Sequence, residues 1–293
     1  MAPELSIVIV TYNSADYIGA CLASVQRQSS AVPLEVIVVD NASKDASQSI
    51  IKEFLPEGIP GQFIFNDSNR YFAPAVNQGI GTATGEYILI LNPDTELQPE
   101  SLELLLEYFR NDRSVGVVAP QLVNPDGSIQ SSCRRFPKHR DVVFNIFGIN
   151  RLFPESRFFN GWKMGDFDHQ QIREVDQPQG AALFTSQMVL DTVGDLDEDF
   201  PMFFNDVDWC YRVKQSGYKI MFYPPAKIVH HQGVSVNSEK AKMVVSSHVS
   251  FFRFFEKYYD RVHQQLFNLV VGFLLYISIP FRVIWISLRS LFR

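Results

Sequence analysis

LSIVIVTYN, residues 5–13, decides the architecture. An unbroken apolar run that ends abruptly in polar residues suits a strand buried on both faces, as in a parallel sheet. The same pattern recurs downstream. EVIVV at 35–39 closes on Asp40-Asn41, YILIL at 87–91 closes on Asn92-Pro93-Asp94, and VGVVA spans 115–119. Helical patterns fill the intervals at Ala15–Gln28, Asp45–Leu55, Pro74–Thr82 and Pro99–Asn111. Ser14 and Ser43 are the expected N-caps of the first two helices, and Pro99 is expected in the first turn of the last. Strands alternating with helices predict βαβ units with right-handed crossovers, and such sheets bind ligands beyond the carboxyl ends of their strands. Thr11, Tyr12, Asn13, Asp40 and Asn92 to Asp94 fall at those ends.

A second stretch, VGDLDEDFPMFFNDVDWCYRVKQSGYKIMFYPPAKIVHHQGVS at 193–235, carries six carboxylates: Asp195, Asp197, Glu198, Asp199, Asp206 and Asp208. They surround the apolar run from Phe200 to Phe204, and His230-His231 follow a strand-like segment. Carboxylates among aromatics cost desolvation energy unless a cation, a proton or a substrate hydroxyl uses them. General-base chemistry on a polar substrate near a metal is the expectation. Asp195-x-Asp197-x-Asp199 is not a calcium loop, because its sixth position is Phe200 rather than glycine.

Taken in order, these elements resemble the inverting glycosyltransferases of family 2, which have the GT-A nucleotide-sugar fold, and most of all their rhamnosyltransferase-like branch. The resemblance rests on SIVIVTYN (6–13), VVDNAS (38–43), Asn69-Arg70-Tyr71-Phe72-Ala73 with Asn77-Gln78-Gly79, and LNPDT (91–95). It continues through Gly194, Asp206, Asp208, Arg212, Gly217-Tyr218 and Pro224 to His230, Gly233 and Ser235. It covers about residues 5 to 260. It implies an α/β fold with a mostly parallel, Rossmann-like sheet flanked by helices. The catalytic domain is expected over 1–238, with a nucleotide-sugar half at about 1–120 and an acceptor-side half at 121–238. C-terminal helices, membrane-associating, follow over 239–293.

The resemblance also implies residue roles. Thr11, Tyr12, Asn13, Asp40, Asn69, Asn77, Asn92 and Asp94 are expected to bind the nucleotide sugar. Asp94 and His230 are expected to hold a divalent cation, Mg²⁺ or Mn²⁺, which hard oxygen ligands suit. Asp206 takes the general-base position, and Asp199, Asn205 and Trp209 the acceptor side. The implied reaction is a metal-assisted single displacement from a nucleotide-diphosphate sugar, dTDP-rhamnose in this branch, to a hydroxyl of a polysaccharide or lipid-linked saccharide. Three positions depart from the family pattern. Tyr71 replaces a glycine and is followed by Pro74-Ala75, leaving the donor sugar open; Asn92 replaces the first metal carboxylate; Asn205 replaces a glutamate.

Bland readings stand beside these roles. Asp40 and Asp206 could cap helices, Asp94 could serve a turn, and Asp208 is read as an i,i+4 partner of Arg212. Trp162 and Trp209 are either sugar platforms or core. Two other functions compete: a sugar nucleotidyltransferase, which would open with a Gly-rich basic loop where TYNSADY stands, and an inactive carbohydrate-binding scaffold.

At 293 residues, 46% apolar and 20% charged, the chain is ordinary globular material. Cys21, Cys133 and Cys210 have unrelated spacings, which argues against a disulfide framework or zinc site and fits a reducing compartment. No cleavable signal peptide is expected before the first strand, and no nucleic-acid partner is expected. Arg134, Arg135, Lys138, His139 and Arg140 form a basic cluster, read as a solvated loop or as a contact to an anionic acceptor or headgroup. The net charge is −6, yet the segment from Arg261 onward holds four arginines and no acid. Its uncharged run, Leu266–Phe281, would make a helix of roughly 24 Å, short of a bilayer core of about 30 Å. Pro280 and Arg282 discourage its extension. With Arg282, Arg289 and Arg293 on one face and Trp285, Leu288 and Phe292 elsewhere, it reads as a helix lying on the cytoplasmic face of a membrane.

Overall fold

The computed structural model describes residues 2–54, 59–232 and 240–291. Gly233, Ser235, Phe292 and Arg293, singled out above, lie outside the described residues. The chain forms two compact units: Met1–Arg134, His169–Pro201 and Asn205–Ser235 make the first, and Arg135–Asp168, Met202–Phe204 and Val236–Arg293 the second. Residues 135–168 and 202–204, placed by sequence in the acceptor-side half, thus group with the C-terminal helices.

The first unit is built on β1 (Leu5–Thr11), β2 (Leu34–Asp40), β3 (Gly61–Phe65), β4 (Tyr87–Leu91), β5 (Thr95–Leu97) and β6 (Val115–Val123). Further along come β7 (Cys133–Arg134), β8 (Arg173–Glu174), β9 (Gln177–Pro178), β10 (Ala182–Ser186) and β11 (Lys219–His230). Nine of them form one sheet in the order β3-β2-β1-β4-β10-β6-β11-β5, with β8 added on β11; β7 and β9 pair separately. The β1–β2, β1–β4, β2–β3 and β6–β11 pairs are parallel. The β10 strand runs antiparallel between β4 and β6. Every residue of β1, β2, β4 and β6 is buried, as unbroken apolar runs require.

Helices α1 (Ala15–Gln28), α2 (Ser47–Glu53), α3 (Phe72–Ile80) and α4 (Ser101–Asn111) occupy the predicted intervals. Their starts differ in part from expectation. Ser14 is the N-cap residue of α1 as expected, though its hydroxyl donates to the Tyr12 carbonyl and caps no amide. Ser43 caps nothing; its Oγ accepts the Asn13 amide at 2.9 Å. Asp45 serves both helices instead, accepting the Ala15 and Ser47 amides at 3.0 Å each. Pro99 lies before α4, whose N-cap is Glu100 at φ 63°. The unit also holds α7 (Gln187–Val193) and α8 (Asn205–Gln215).

The second unit contains α5 (His139–Ile146), α6 (Ile149–Leu152), α9 (Lys240–Tyr258) and α10 (Val262–Leu291). The α10 helix runs unbroken through Pro280 for 30 residues, contrary to the expected stop. A proline removes one backbone donor, and here the helix continues past that loss. Val262–Arg282 is long and apolar enough to cross a membrane by length and composition alone. A seam of Asn268, Val271, Leu275 and Ser278, spaced three or four apart, is buried. It faces α9, where a Cβ on Gly272 would come 2.6 Å from the Phe252 ring. Leu266, Leu269, Phe273 and Tyr276 are exposed on the other side.

One glycine tests the packing that carries the site. A Cβ on Gly79 of α3 would lie 2.5 Å from Val8 Cγ1 of β1. Gly to Ala inside a helix ordinarily gains up to about 1 kcal/mol. Gly79→Ala is instead expected to destabilise by about 1–3 kcal/mol through overpacking, read as a lower urea midpoint with unchanged slope.

Candidate active site

The register of the parallel strands assembles the site. Thr11 lies opposite Asp40, and Ile9 opposite Leu91, so the polar residues after β1, β2 and β4 share one edge. Asp40 Oδ1 accepts the Ser43 amide at 3.0 Å and Gln48 Nε2 at 2.7 Å. Asp40 Oδ2 and the Thr11 hydroxyl are buried without a partner, an arrangement that leaves polar valences for a ligand. Tyr12 is partly exposed beside them. Asn13 takes φ 51° and holds the Lys44 amide on its Oδ1 at 2.8 Å, so its side chain supports the loop after β2.

Two asparagines expected to meet the nucleotide sugar are used internally. Asn77 donates to the Leu196 carbonyl at 2.9 Å and Glu198 Oε1 at 3.1 Å, and accepts the Leu196 amide at 3.0 Å. It positions the acidic turn instead of facing a ligand. Asn69 Oδ1 accepts the Tyr71 amide at 2.8 Å and shapes the approach to α3. Tyr71, where the family pattern has glycine, adopts φ 67° and remains exposed. The α3 amides of Phe72 and Ala73 both donate to the Pro201 carbonyl, at 2.9 and 3.0 Å.

The β5–β11 pairing brings Asp94 to His230. Thr95 lies opposite His230, the His231 amide donates to the Asp94 carbonyl at 2.9 Å, and His230 Nε2 stands 3.5 Å from Asp94 Oδ1. The network fixes the ring's roles. Gln130 Nε2 donates to the His230 carbonyl and to Asn124 Oδ1, both at 2.7 Å, which turns Gln130 Oε1 toward His230 Nδ1 at 3.0 Å. Nδ1 therefore carries the proton, and in the neutral ring Nε2 is an acceptor facing a carboxylate oxygen. Two acceptors facing each other at a buried position suit a cation between them, and a carboxylate–imidazole pair is a donor set that Mn²⁺ or Mg²⁺ accepts. The buried His230 and largely buried Asp94 thus fit a divalent metal. Among the described residues no group of three or more His, Cys, Asp or Glu side chains has metal-binding geometry. His231 is engaged elsewhere, 2.8 Å from Glu96.

Asp206 lies in the first turn of α8, just after Phe204 at φ 67°. Its Oδ2 accepts the Gly180 amide at 3.1 Å and Gln177 Nε2 at 2.9 Å, and its Oδ1 accepts the Val207 amide at 2.9 Å. A Cβ on Gly180 would come 3.1 Å from Asp206 Cβ, so only glycine lets that amide approach without displacement. Burial raises the Asp206 pKa above its ordinary value despite these lowering hydrogen bonds, the combination expected of a base. The neighbouring residue ties this carboxylate to the end of β4: the Ala181 carbonyl accepts the Asn92 amide at 2.9 Å.

The remaining predicted residues divide. Asp208 is fully buried and paired with Arg212 Nε at 2.9 Å, the structural role expected of it. Arg212 also donates to the carbonyls of Val193, Gly194 and Asp195, fastening the acidic turn. Trp209 is fully buried with its indole N–H on the Gly194 carbonyl, so it is core and not an acceptor platform. Asn205 is buried with Nδ2 unpartnered. Asp199 is exposed on the turn. Sequence reasoning missed Gln130, Gln177 and Gly180, which lie in or beside residues 124–179, where no helical or strand period is readable; only the fold shows their contacts.

This sheet and site define a glycosyltransferase of GT-A fold that uses a nucleotide-sugar donor. Residues 6–166 match Glycosyl transferase family 2, and the chain belongs to that family. The nucleotidyltransferase reading is thereby set aside. An N-acetylglucosaminyl-diphospho-decaprenol L-rhamnosyltransferase of Mycobacterium tuberculosis is 24% identical over 266 residues, covering 87% of this chain and 84% of that protein. Among solved structures, the mannosyltransferase of Pyrobaculum calidifontis in complex with GDP-Man and Mn²⁺ superposes with a TM-score of 0.61 at 18% identity, covering 95% of this chain and 74% of that one. GalNAc-T7 with UDP, GalNAc and Mn²⁺ gives 0.59 at 15% identity, over 80% of this chain and 44% of that one.

The Arg212 clamp makes a stability prediction. Removing one partner of a buried pair strands the other charge, so Arg212→Ala should destabilise by about 3–5 kcal/mol in urea unfolding. Replacing Asp208 as well, in Asp208→Leu/Arg212→Met, should recover a large part of that loss.

Proposed function

We propose that this protein is an inverting transferase that moves a sugar, L-rhamnose from dTDP-rhamnose in the reading favoured here, to a hydroxyl of a lipid-linked saccharide. The observation that carries it is the two-residue bridge Gly180-Ala181, which joins the Asp206 carboxylate to the strand end bearing Asn92 and Asp94. Base and diphosphate site are thereby held in one frame. The rhamnose and lipid-linked acceptor assignments are supported by the Mycobacterium tuberculosis relative, whose name specifies both.

Thr11, Tyr12, Asn13 and Asp40 form the nucleotide edge, where the unpartnered Asp40 Oδ2 and Thr11 hydroxyl await donors and acceptors of the base or ribose. Asp94 and His230 would hold a divalent cation, with Asn92 adding a neutral oxygen. That ion would offset charge developing on the departing diphosphate. Asp206 accepts the acceptor hydroxyl's proton as the oxygen attacks the anomeric carbon, so one displacement inverts it. Asp199 and Asn205 border the acceptor side. The second unit holds the protein at the cytoplasmic face of the membrane. The buried seam of α10 is already occupied by protein, so its apolar outer face is the part available to lipid.

The base works ionised, so kcat/KM is retained above the Asp206 pKa and lost as pH falls through it. Because that pKa is raised, the acid limb should lie above the ordinary aspartate value near 3.9. Asp206→Asn should cut kcat by about 10²–10⁴-fold and abolish that limb, while nucleotide binding by thermal shift persists. Near-normal turnover in this variant would move the base elsewhere.

Asp94→Ala should abolish Mn²⁺-dependent binding of the nucleotide sugar in calorimetry, because His230 and Asn92 leave only neutral ligands. Excess chelator should reproduce the effect on the unaltered protein. Full activity in chelator would show that the transfer needs no metal.

A further inference from the structure

The second unit contains a cavity of about 390 Å³ whose wall carries Arg135, Lys138, Arg140 and Arg157 against one carboxylate, Asp141. Phe136, Phe158, Gly161 and Trp162 complete its lining. The volume is within the range of small-molecule sites. Arg135 is committed: it forms a two-point pair with Asp166 at 2.8 and 2.9 Å and donates to the Gly161 carbonyl at 2.7 Å. Arg140 lies over the Phe158 ring at 4.5 Å, with Asp141 Oδ1 at 4.0 Å. Asp141 accepts the Lys138 amide at 2.8 Å and so caps α5. Among the described residues, Lys138 and Arg157 form no ion pair, and both are exposed. The indole N–H of Trp162 is buried without an acceptor. The cavity thus combines surplus positive charge with an unsatisfied donor, which an anion would relieve.

The segment lining the cavity is fastened to the two C-terminal helices. His139 Nε2 is 2.6 Å from Asn268 Oδ1 of α10, its ring stacks on Phe255 of α9 at 4.6 Å, and the Tyr259 hydroxyl donates to the Pro137 carbonyl at 2.9 Å. From that clamp α10 continues with Leu269, Phe273 and Tyr276 exposed. A cationic cavity anchored to a helix with a bare apolar face matches an amphiphile, with a polyanionic head and a long hydrocarbon tail. A soluble sugar phosphate has no use for the second feature, and a neutral lipid none for the first.

We propose that this cavity binds the diphosphate of a polyprenyl-linked acceptor, with Lys138, Arg140, Arg157 and the Trp162 indole as its donors and the exposed face of α10 beside the tail. The inference deepens the reading above, on which the lipid-linked nature of the acceptor rests. It assigns to Lys138 and Arg140 of the basic cluster a specific ligand in place of solvent.

The test is flotation of the full chain with phosphatidylcholine vesicles, either plain, carrying a polyprenyl diphosphate, or carrying phosphatidylglycerol at matched surface charge. Polyprenyl diphosphate should tighten binding beyond phosphatidylglycerol. Lys138→Gln/Arg157→Gln, at exposed positions that leave the core alone, should remove about 10-fold or more of that gain while binding to plain vesicles persists. Equal binding to phosphatidylglycerol would reduce the cavity to a general anionic-surface contact and overturn the proposal. Inorganic diphosphate binding as tightly as the lipid, or a double variant that keeps the full gain, would overturn it too. Donor binding is measured in parallel by thermal shift with dTDP and Mn²⁺. Loss of that signal with retained lipid-diphosphate binding would sink the donor assignment and leave the cavity standing; the converse would sink the cavity alone.

Discussion

Asp206 sits where its charge is disfavoured, and what makes the position tolerable is the donor set around it. The Gly180 and Val207 amides and the Gln177 side chain all point at its two oxygens. None is free to wander. Gln177 is in β9, paired with β7, and Gly180 leads directly into β10, whose antiparallel pairing with β4 fixes the register of Ala182 opposite Leu91. A one-residue slip of β10 would remove the Gly180 amide from the carboxylate and turn every β10 side chain to the other face. The position of the Asp206 carboxylate therefore depends on the sheet register, and the same register places Asn92 against Ala181. Site geometry and core packing are one constraint in this protein.

That dependence explains which parts were legible beforehand. The strands β1, β2 and β4 are short apolar runs ending in polar residues, and periodicity finds them to within a residue. The β11 strand is harder. Its burial alternates, and Pro224-Pro225 interrupt it, so the sequence shows only a strand-like segment before His230 without its bounds. The structure absorbs the prolines at a register shift of β11: Tyr223 pairs with Pro120 and Lys227 with the next residue, Gln121, so 224–226 stand off the ladder. The β3 strand is an edge with mostly exposed residues, and β10 is five residues long beside a stretch of no clear period. Helix starts were misread because capping was assigned to the nearest serine. Asp45 outcompetes Ser43, since a carboxylate accepts two amides at once.

The site residues divide along the same line. Motif reading finds residue types, and it placed Asp40, Asp94, Asp206 and His230 at strand or helix ends where the fold has them. It cannot say which way a side chain is spent. Asn77 has the chemistry to hold a sugar nucleotide, yet the 194–199 turn consumes its hydrogen bonds, while Asn69, exposed, spends its Oδ1 at the entry to α3. Trp209 has the ring to stack on a sugar, yet helix α8 turns it inward. Gln130 had no motif at all. It is 100 residues from His230 in sequence, and it sets which imidazole nitrogen faces Asp94.

Asn92 offers a neutral oxygen where the family pattern has a carboxylate, so this strand end carries one charge fewer. The backbone around this edge is strained. Asn13, Ala42 and Tyr71 all take positive φ within reach of the β1 and β2 ends, and Phe204 does so before the base helix. Such conformations cost of order 1–3 kcal/mol each in non-glycine residues. Asn13 is held by Ser43 and Lys44, and Tyr71 by Asn69 and Asn41. Without the fully buried sheet beneath them those hydrogen bonds would not suffice, and the loops would relax out of the ligand-ready shape. The apolar runs that identify the fold are thus also what keeps the polar edge in its unfavourable geometry.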